Sequence, residues 1–216
     1  MSLDFVFMRA ILPEMIAAAI LTAQISATTL LLTISPALCL TACKLLGPRP
    51  FRLLIRLYIG ICRGVPPLVL IAAVYFLLPR AGLLIDEFWT GVLALTVMAG
   101  GYVIAIIEGA VVAINFRQRE TALALGLTEL QALVLVIAPQ AFKRMLPPMA
   151  NEIANLIKAS ALLSIISVKE LTKVSRDLIF EHFVVVEVMI ELTILYLAII
   201  SLPMLAARYL EKWVRS

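Results

Sequence analysis

The sequence predicts an all-α fold, an integral membrane helical bundle of about five transmembrane helices. Two observations carry that expectation. Of the 216 residues, 63% are hydrophobic and only 15% charged, where a soluble domain carries about a quarter charged residues; the mean hydropathy is +1.07. The apolar residues also fall in long runs. A bilayer core of about 30 Å takes roughly 20 mostly apolar residues per helix. Five such runs with short connections account for the chain, so residues 1–216 are expected to form a single transmembrane domain.

Taken in order, the first run covers residues 15–44 and is uncharged up to Lys44. It is far longer than the roughly 7–15-residue apolar stretch of a secretory signal, and is read as the first span. Residues 57–79 make the second, with a kink at Pro66 and Pro67. Prolines leave helix carbonyls unbonded, which a span tolerates where backbone lines a cavity or neighbours satisfy it. Residues 88–107, 145–168 and 183–207 make the third, fourth and fifth. The run 130–142 is apolar but, at 13 residues, too short to cross; a re-entrant, interfacial or protein-buried helix is expected there. Cys39, Cys43 and Cys62 lie in or beside apolar runs and read as small apolar side chains. His182, the only histidine, has no cysteine neighbour with which to hold a metal.

The positive-inside rule orients the bundle. With the N-terminus outside, the inner segments hold Lys44, Arg49, Arg52, Arg56, Arg63, Arg117, Arg119, Lys143, Arg144, Arg208, Lys212 and Arg215. The outer segments hold only Arg9, Arg80, Lys169, Lys173 and Arg176. That bias predicts an outer N-terminus, a cytoplasmic C-terminus, and a cytoplasmic position for residues 117–138. Membrane lipid surrounds such a chain. Basic residues gathered at span ends, without a stripe of aromatics, do not suit nucleic acid.

Residues 117–138, "RQRETALALGLTELQALVLVIA", break the apolar pattern. Residues 117–125 are strong helix formers, and Gly126 permits the left-handed residue that ends a helix. Thr128 and Gln131 have the spacing of a capping box, which starts a second helix; Pro139 is expected to kink or end that one. The result is a helix-turn-helix elbow with a small-residue face at Ala122 and Ala124. Such a face suits another protein's groove; a solvated loop helix packed on its own bundle is the other reading.

"ETALALG" followed by "APQAF" resembles the EAA loop of bacterial ABC-importer inner-membrane permeases, E-A-A-x-x-x-G and then I-x-L-P. Glu120, Ala122 and Gly126 match; Thr121 stands for an alanine and Ala138-Pro139 for Leu-Pro. Three further stretches resemble the polar amino-acid uptake branch (histidine/glutamine/arginine-type). "RGVPPLVL" at 63–70 is similar to R-G-T-P-L-L-V, and "GYVIAIIEG" at 101–109 to A-Y-x-A-E-x-x-R-G. "LPPMANEIANLIKASAL" at 146–162 is similar to P-x-x-x-N-x-x-I-x-L-L-K-x-T-S-L. The resemblance covers roughly residues 15–210. It departs at Ala105, where the pattern has glutamate, at Glu108, where it has arginine, at Arg117 for a glycine and at Ala159 for an aspartate.

The resemblance implies a permease of the bacterial inner (plasma) membrane, working in a pair with a second permease, identical or homologous. It implies a cytoplasmic coupling helix, about residues 115–128, inserted into a cytoplasmic ATP-binding subunit that is itself a dimer. Arg117, Glu120, Thr121, Ala122 and Gly126 would be the coupling residues. A periplasmic substrate-binding protein would deliver a polar amino acid, and ATP-Mg would sit on the partner ATPase. The residues agree from their own side: no G-x-x-x-x-G-K-[ST] phosphate cradle occurs, so a transport subunit without cofactor or enzymatic activity of its own is expected.

Charged residues inside spans are costly and usually face the bundle or a wet cavity. Glu152 and Lys158, with Asn155 and Ser160 nearby, form one candidate substrate path; a zwitterionic amino acid needs separated donors and acceptors. Glu191 is another candidate, one turn after Glu187. Like charges at that spacing repel slightly, so a cation between them or protonation of one is expected. The competing function is a secondary transporter driven by an ion gradient, with Glu187 and Glu191 as a proton relay. Such folds commonly show repeated halves, and no internal repeat is visible. An intramembrane enzyme lacks support, with one histidine and neither H-E-x-x-H nor G-x-S-x-G.

Overall fold

The computed structural model describes residues 3–215, without the side chains of residues 211 and 213–215. The Arg215 side chain of the charge count, and Met1, Ser2 and Ser216 of the expected domain, lie outside what is described. Among the described residues the chain is all helical, without a strand. Four stretches are long and apolar enough to cross a membrane: Phe5–Leu46, Glu87–Val112, Glu129–Ile166 and Val186–Leu210. A bent pair, Arg49–Gly64 with Pro67–Arg80, supplies the fifth.

Helix α1, Phe5–Leu46, is 42 residues long and starts where the Asp4 carboxylate accepts from the Val6 and Phe7 amides. It runs past the expected 15–44 at both ends, and in its first turns Phe7 and Ile11 pack with Leu171, Leu178 and Val188. Four of its buried hydroxyls, on Thr22, Ser26, Thr33 and Thr41, are satisfied along the helix itself: Thr22 donates to the Ala18 carbonyl at 2.9 Å and Ser26 to that of Thr22 at 2.8 Å, whereas the buried Thr29 Oγ1 has no partner among the described residues.

The second span is broken more sharply than a kink. Helix α2, Arg49–Gly64, and α3, Pro67–Arg80, meet at 114°. Val65 and Pro66 are extended there, because a proline disfavours helical backbone in the residue before it; Pro67 then opens α3, where a missing N–H is harmless. Helix α4, Glu87–Val112, is capped by Asp86 and forms the centre of the bundle. Helix α2 lies close on it because Gly100 and Gly101 have no side chains. There the Tyr58 hydroxyl donates to the Val97 carbonyl at 2.6 Å, and the Cys62 thiol reaches the same carbonyl.

Helix α5 covers Phe116–Ala124 and α6 only Glu129–Gln131. The run 130–142 is not a separate short helix. From α6 the backbone winds through a π-helical segment, Ala132–Ile137, straight into α7, Ala138–Ser160, as the first part of the fourth span. Pro139, expected to kink or end a helix, lies in the first turn of α7, where proline is tolerated. A 3₁₀ stretch, Ala161–Ile166, then leads to α8, Leu171–His182, and α9, Val186–Arg215. Helix α8 was not anticipated, since its 12 residues read as a polar connection.

The core forms in layers. Ile25, Ile71, Leu95, Met98, Leu156 and Leu163 fill the middle. Met15, Leu171, Leu178 and Val188 pack one end. Ile55, Ile104, Ile107 and Met149 pack toward the other, where Ala110, Ile114, Ile137 and Ala141 tie α4 to the start of the fourth span.

Candidate functional site

The elbow projects from the end of the bundle where α4 stops and the fourth span begins. Asn115 opens α5 by accepting from the Arg117 amide at 3.1 Å. The helix closes on Gly126, whose φ is +87°, with the Gly126 amide donating to Leu123 and the Leu127 amide to Ala122. This is the left-handed stop that only glycine adopts without strain. Thr128 then forms both halves of the capping box: its side chain accepts from the Gln131 amide at 3.3 Å, and its amide donates to Gln131 Oε1 at 2.8 Å.

Two further contacts fix the elbow. Arg119 Nε donates to Glu129 Oε2 at 3.0 Å, with a second guanidinium nitrogen on Oε1, bracing α5 against α6. Both side chains are about half exposed, so the pair sets geometry more than stability. Arg144 Nη1 donates to the Ala113 carbonyl at 2.7 Å, closing the end of α4. One turn back, Lys44 Nζ meets Glu108 Oε2 at 2.5 Å, tying the end of α1 to α4.

The open surface of α5 carries Arg117, Glu120 and Thr121, with Gly126 at its end. Ala122 is 3% exposed and belongs to the packing of α5 on the π-helical segment. Two residues escaped the sequence reading. Phe116 and Leu125 are 67% and 78% exposed, an apolar residue at each end of a polar helix. Large apolar side chains inside an otherwise polar segment were the available signal.

The candidate path residues of α7 separate. Asn151, Asn155 and Lys158 are exposed and, at 3.6 residues per turn, share one face. Ser160 is fully buried on the opposite side, its hydroxyl donating to the Ile157 carbonyl at 2.7 Å. Glu152 is buried as well. Glu191 sits on α9, buried, and its Oε2 has no hydrogen-bond partner among the described residues. No cation lies between Glu191 and Glu187 among the described residues; Glu187 Oε1 instead accepts from the Asp4 amide at 3.2 Å, joining α9 to the cap of α1.

A polar cluster at the far end was not foreseen. Glu170, in the connection before α8, is fully buried. Its carboxylate accepts from the Lys173 and Thr172 amides, both at 2.8 Å, and from the Tyr196 hydroxyl at 3.1 Å. The neighbouring Leu171 amide donates to Thr22 Oγ1 at 3.0 Å, so this one turn is fastened to both α1 and α9. Burial pushes the Glu170 carboxyl above its ordinary range, against the hydrogen bonds, which favour the charged form.

Residues 39–216 match the family described as the binding-protein-dependent transport system inner membrane component. The glutamine transport system permease protein GlnP of Escherichia coli (strain K12) is 36% identical over 157 residues, 72% of this chain and 72% of the relative. The arginine transport system permease protein ArtQ of Bacillus subtilis (strain 168) is 32% identical over 174 residues, 80% of each. In three dimensions the chain is similar to the solved structure of an amino acid ABC transporter with histidines. The TM-score is 0.89 at 29% identity, covering 98% of this chain and 99% of that one.

Proposed function

The chain belongs to the family of binding-protein-dependent transport system inner membrane components, as a permease subunit of an ABC importer for amino acids, and we propose that a cytoplasmic ATP-binding subunit grips it at α5. The observation that carries this is the elbow: a nine-residue helix between two backbone breaks, braced by Arg119–Glu129 and packed at its root on the ends of α4 and the fourth span. A short rigid helix fastened to two spans moves them when it is pushed. Arg117, Glu120 and Thr121 would fix its register on the ATPase, Phe116 and Leu125 would fill apolar pockets there, and Ala122 and Gly126 would hold its shape. The gradient-driven carrier considered from the sequence is overturned by the family. ATP-Mg would be bound and hydrolysed on the partner, as an ATPase dimer.

The remaining assignments are proposals on the same footing. The basic ends of α1 and α2 lie with the elbow at one end of the bundle, which supports an outer N-terminus and a cytoplasmic C-terminus in the bacterial inner membrane. Lys158 and Asn155 line the substrate path, a lysine on an open face of a span being supportable only beside water or another protein. A second permease, identical or homologous, would close that path from the other side, and a periplasmic binding protein would feed it a polar amino acid. Glu152, Ser160 and Glu191 contribute from behind this surface, by holding the helices that shape it.

The test is a pull-down of the tagged chain from detergent-solubilised native membranes, beside its Glu120→Lys variant. A stoichiometric ATP-binding subunit with the native chain, lost or uncoupled with a still-folded variant, is expected. Normal coupled transport by Glu120→Lys would count against α5 as the coupling helix.

A further inference from the structure

Helix α2 has three faces, and only two are accounted for. Ile55, Ile59 and Cys62 are buried against the bundle. Leu53, Leu54 and Leu57 are 60–68% exposed, a face for acyl chains. The third face carries Arg49, Arg52, Arg56 and Arg63, at i, i+3, i+7 and i+14, which at 100° per residue fall within an arc of about 60°. Among the described residues none of these arginines takes part in a salt bridge or a side-chain hydrogen bond to the protein.

The first three arginines sit near the membrane boundary. Ile55, between Arg52 and Arg56, packs with Val103, Ile104 and Ile107, a few turns before α4 ends at Val112. Arginines at that depth lay their stems along apolar surface and bring the guanidinium to the headgroup level. Arg49, Arg52, Leu53 and Arg56 surround a shallow depression of about 380 Å³, so cations and an acyl-facing leucine share one hollow. Guanidinium forks match phosphate oxygens bidentately.

We propose that this arginine face is a binding site for the phosphate headgroups of anionic phospholipid in the leaflet beside the elbow. That leaflet is the cytoplasmic one if the elbow is the coupling helix, as above. Charge complementarity selects the occupant. An identical second chain would bring its own arginine face and, on the elbow, Glu120 as an exposed acid without a salt bridge and Glu129 already engaged by Arg119. A phospholipid brings phosphate and acyl chains at the spacing the two adjoining faces of α2 present. The site would couple the second span, and through its packing on α4 the elbow, to the lipid charge around the importer.

The experiment uses the intact importer complex in detergent, titrated with phosphatidylglycerol or phosphatidylcholine of identical acyl chains and read by native mass spectrometry. The native complex should retain phosphatidylglycerol about tenfold in preference to phosphatidylcholine, several basic residues each contributing to attraction for anionic lipid. The triple variant Arg49→Gln, Arg52→Gln, Arg56→Gln should fall to about twofold or less, and the matching triple lysine variant should keep most of the preference, as the conserved charge requires. Should the triple glutamine variant not be recovered, the exposed single changes Arg49→Gln and Arg56→Gln should each lower the preference. An unchanged preference in the glutamine variants overturns the site. So does loss of the ATP-binding subunit from the triple variant with lipid preference intact, which would place the arginines against that subunit. If the native complex lacks an ATP-binding subunit, the coupling reading fails alone, and the lipid comparison still decides this one.

Discussion

Glu170 shows how much one buried side chain can organise. Two amides and a tyrosine hydroxyl converge on its carboxylate, so Glu170→Ala removes the cap of α8 together with one of two hydrogen bonds of the Tyr196 hydroxyl, leaving that to Thr172 Oγ1. Loss of an N-cap costs about 0.5–2 kcal/mol, measurable as a lower unfolding midpoint in detergent. The pH dependence follows from the raised pKa. Over the interval between the ordinary value of 4.5 and the raised one, the folded chain keeps a proton that the unfolded chain has released. Stability therefore falls as pH climbs through that interval and is level above it. Glu170→Gln should flatten this slope while keeping an acceptor for one of the two amides. A slope that survives in Glu170→Gln would assign it to another group. None of this was legible in the sequence, where Lys169, Lys173 and Arg176 mark a polar connection and Glu170 looks like one more charge in it. The capping box at Thr128 and the glycine stop at 126 were legible, because those motifs act within a few residues of backbone.

At the scale of elements, the packing of α2 on α4 turns on Gly101. A Cβ there would lie 2.4 Å from the Cβ of Cys62 and 2.9 Å from its sulfur, and a backbone-anchored Cβ cannot swing aside. Gly101→Ala should destabilise by about 1–3 kcal/mol, the range for overpacking a core. Gly109→Ala is the control: nothing lies within 4 Å of its would-be Cβ, so the change should be neutral or slightly stabilising. Equal unfolding midpoints for the two variants would remove the close approach as the constraint. The π-helical segment belongs to this scale too. The apolar run 130–142 alone is too short to cross, and only its continuous winding into α7 makes it part of a span. Hydropathy measures length, and carries no account of whether backbone bonding continues past a proline.

For the whole molecule, the face bearing Asn151, Asn155 and Lys158 lacks a cover within the described chain, the face on which the proposed second permease would close. Lys158→Ala should raise the uptake KM about tenfold, equivalent to about 1.4 kcal/mol, while the ATP-binding subunit still co-purifies. Identical uptake kinetics in this variant would remove Lys158 from the path. Coupling belongs to the same scale: the elbow is rooted on α4, α4 carries α2, and α1 is tied to α4 through Lys44 and Glu108. On the proposed coupling, a push on α5 would be delivered to several spans at once.

The sequence by itself determined the membrane setting, the approximate positions of five spans, a kink at Pro66–Pro67 and, on the elbow, the glycine stop at 126 and the capping box at Thr128. These follow from apolar run length and from backbone rules that act over a few residues. The sharpness of the break and the continuation of the helix past Pro139 were not among them. The tertiary structure decided the rest. It turned Ala122 and Ser160 inward, buried Glu152 while leaving Asn155 and Lys158 exposed, gave Glu187 to the Asp4 amide and left Glu191 without a salt bridge among the described residues. It also aligned four arginines on a face of α2 clear of α4. Each of those outcomes depends on which way a helix is rotated against its neighbours, and that is fixed by packing between residues far apart in the chain.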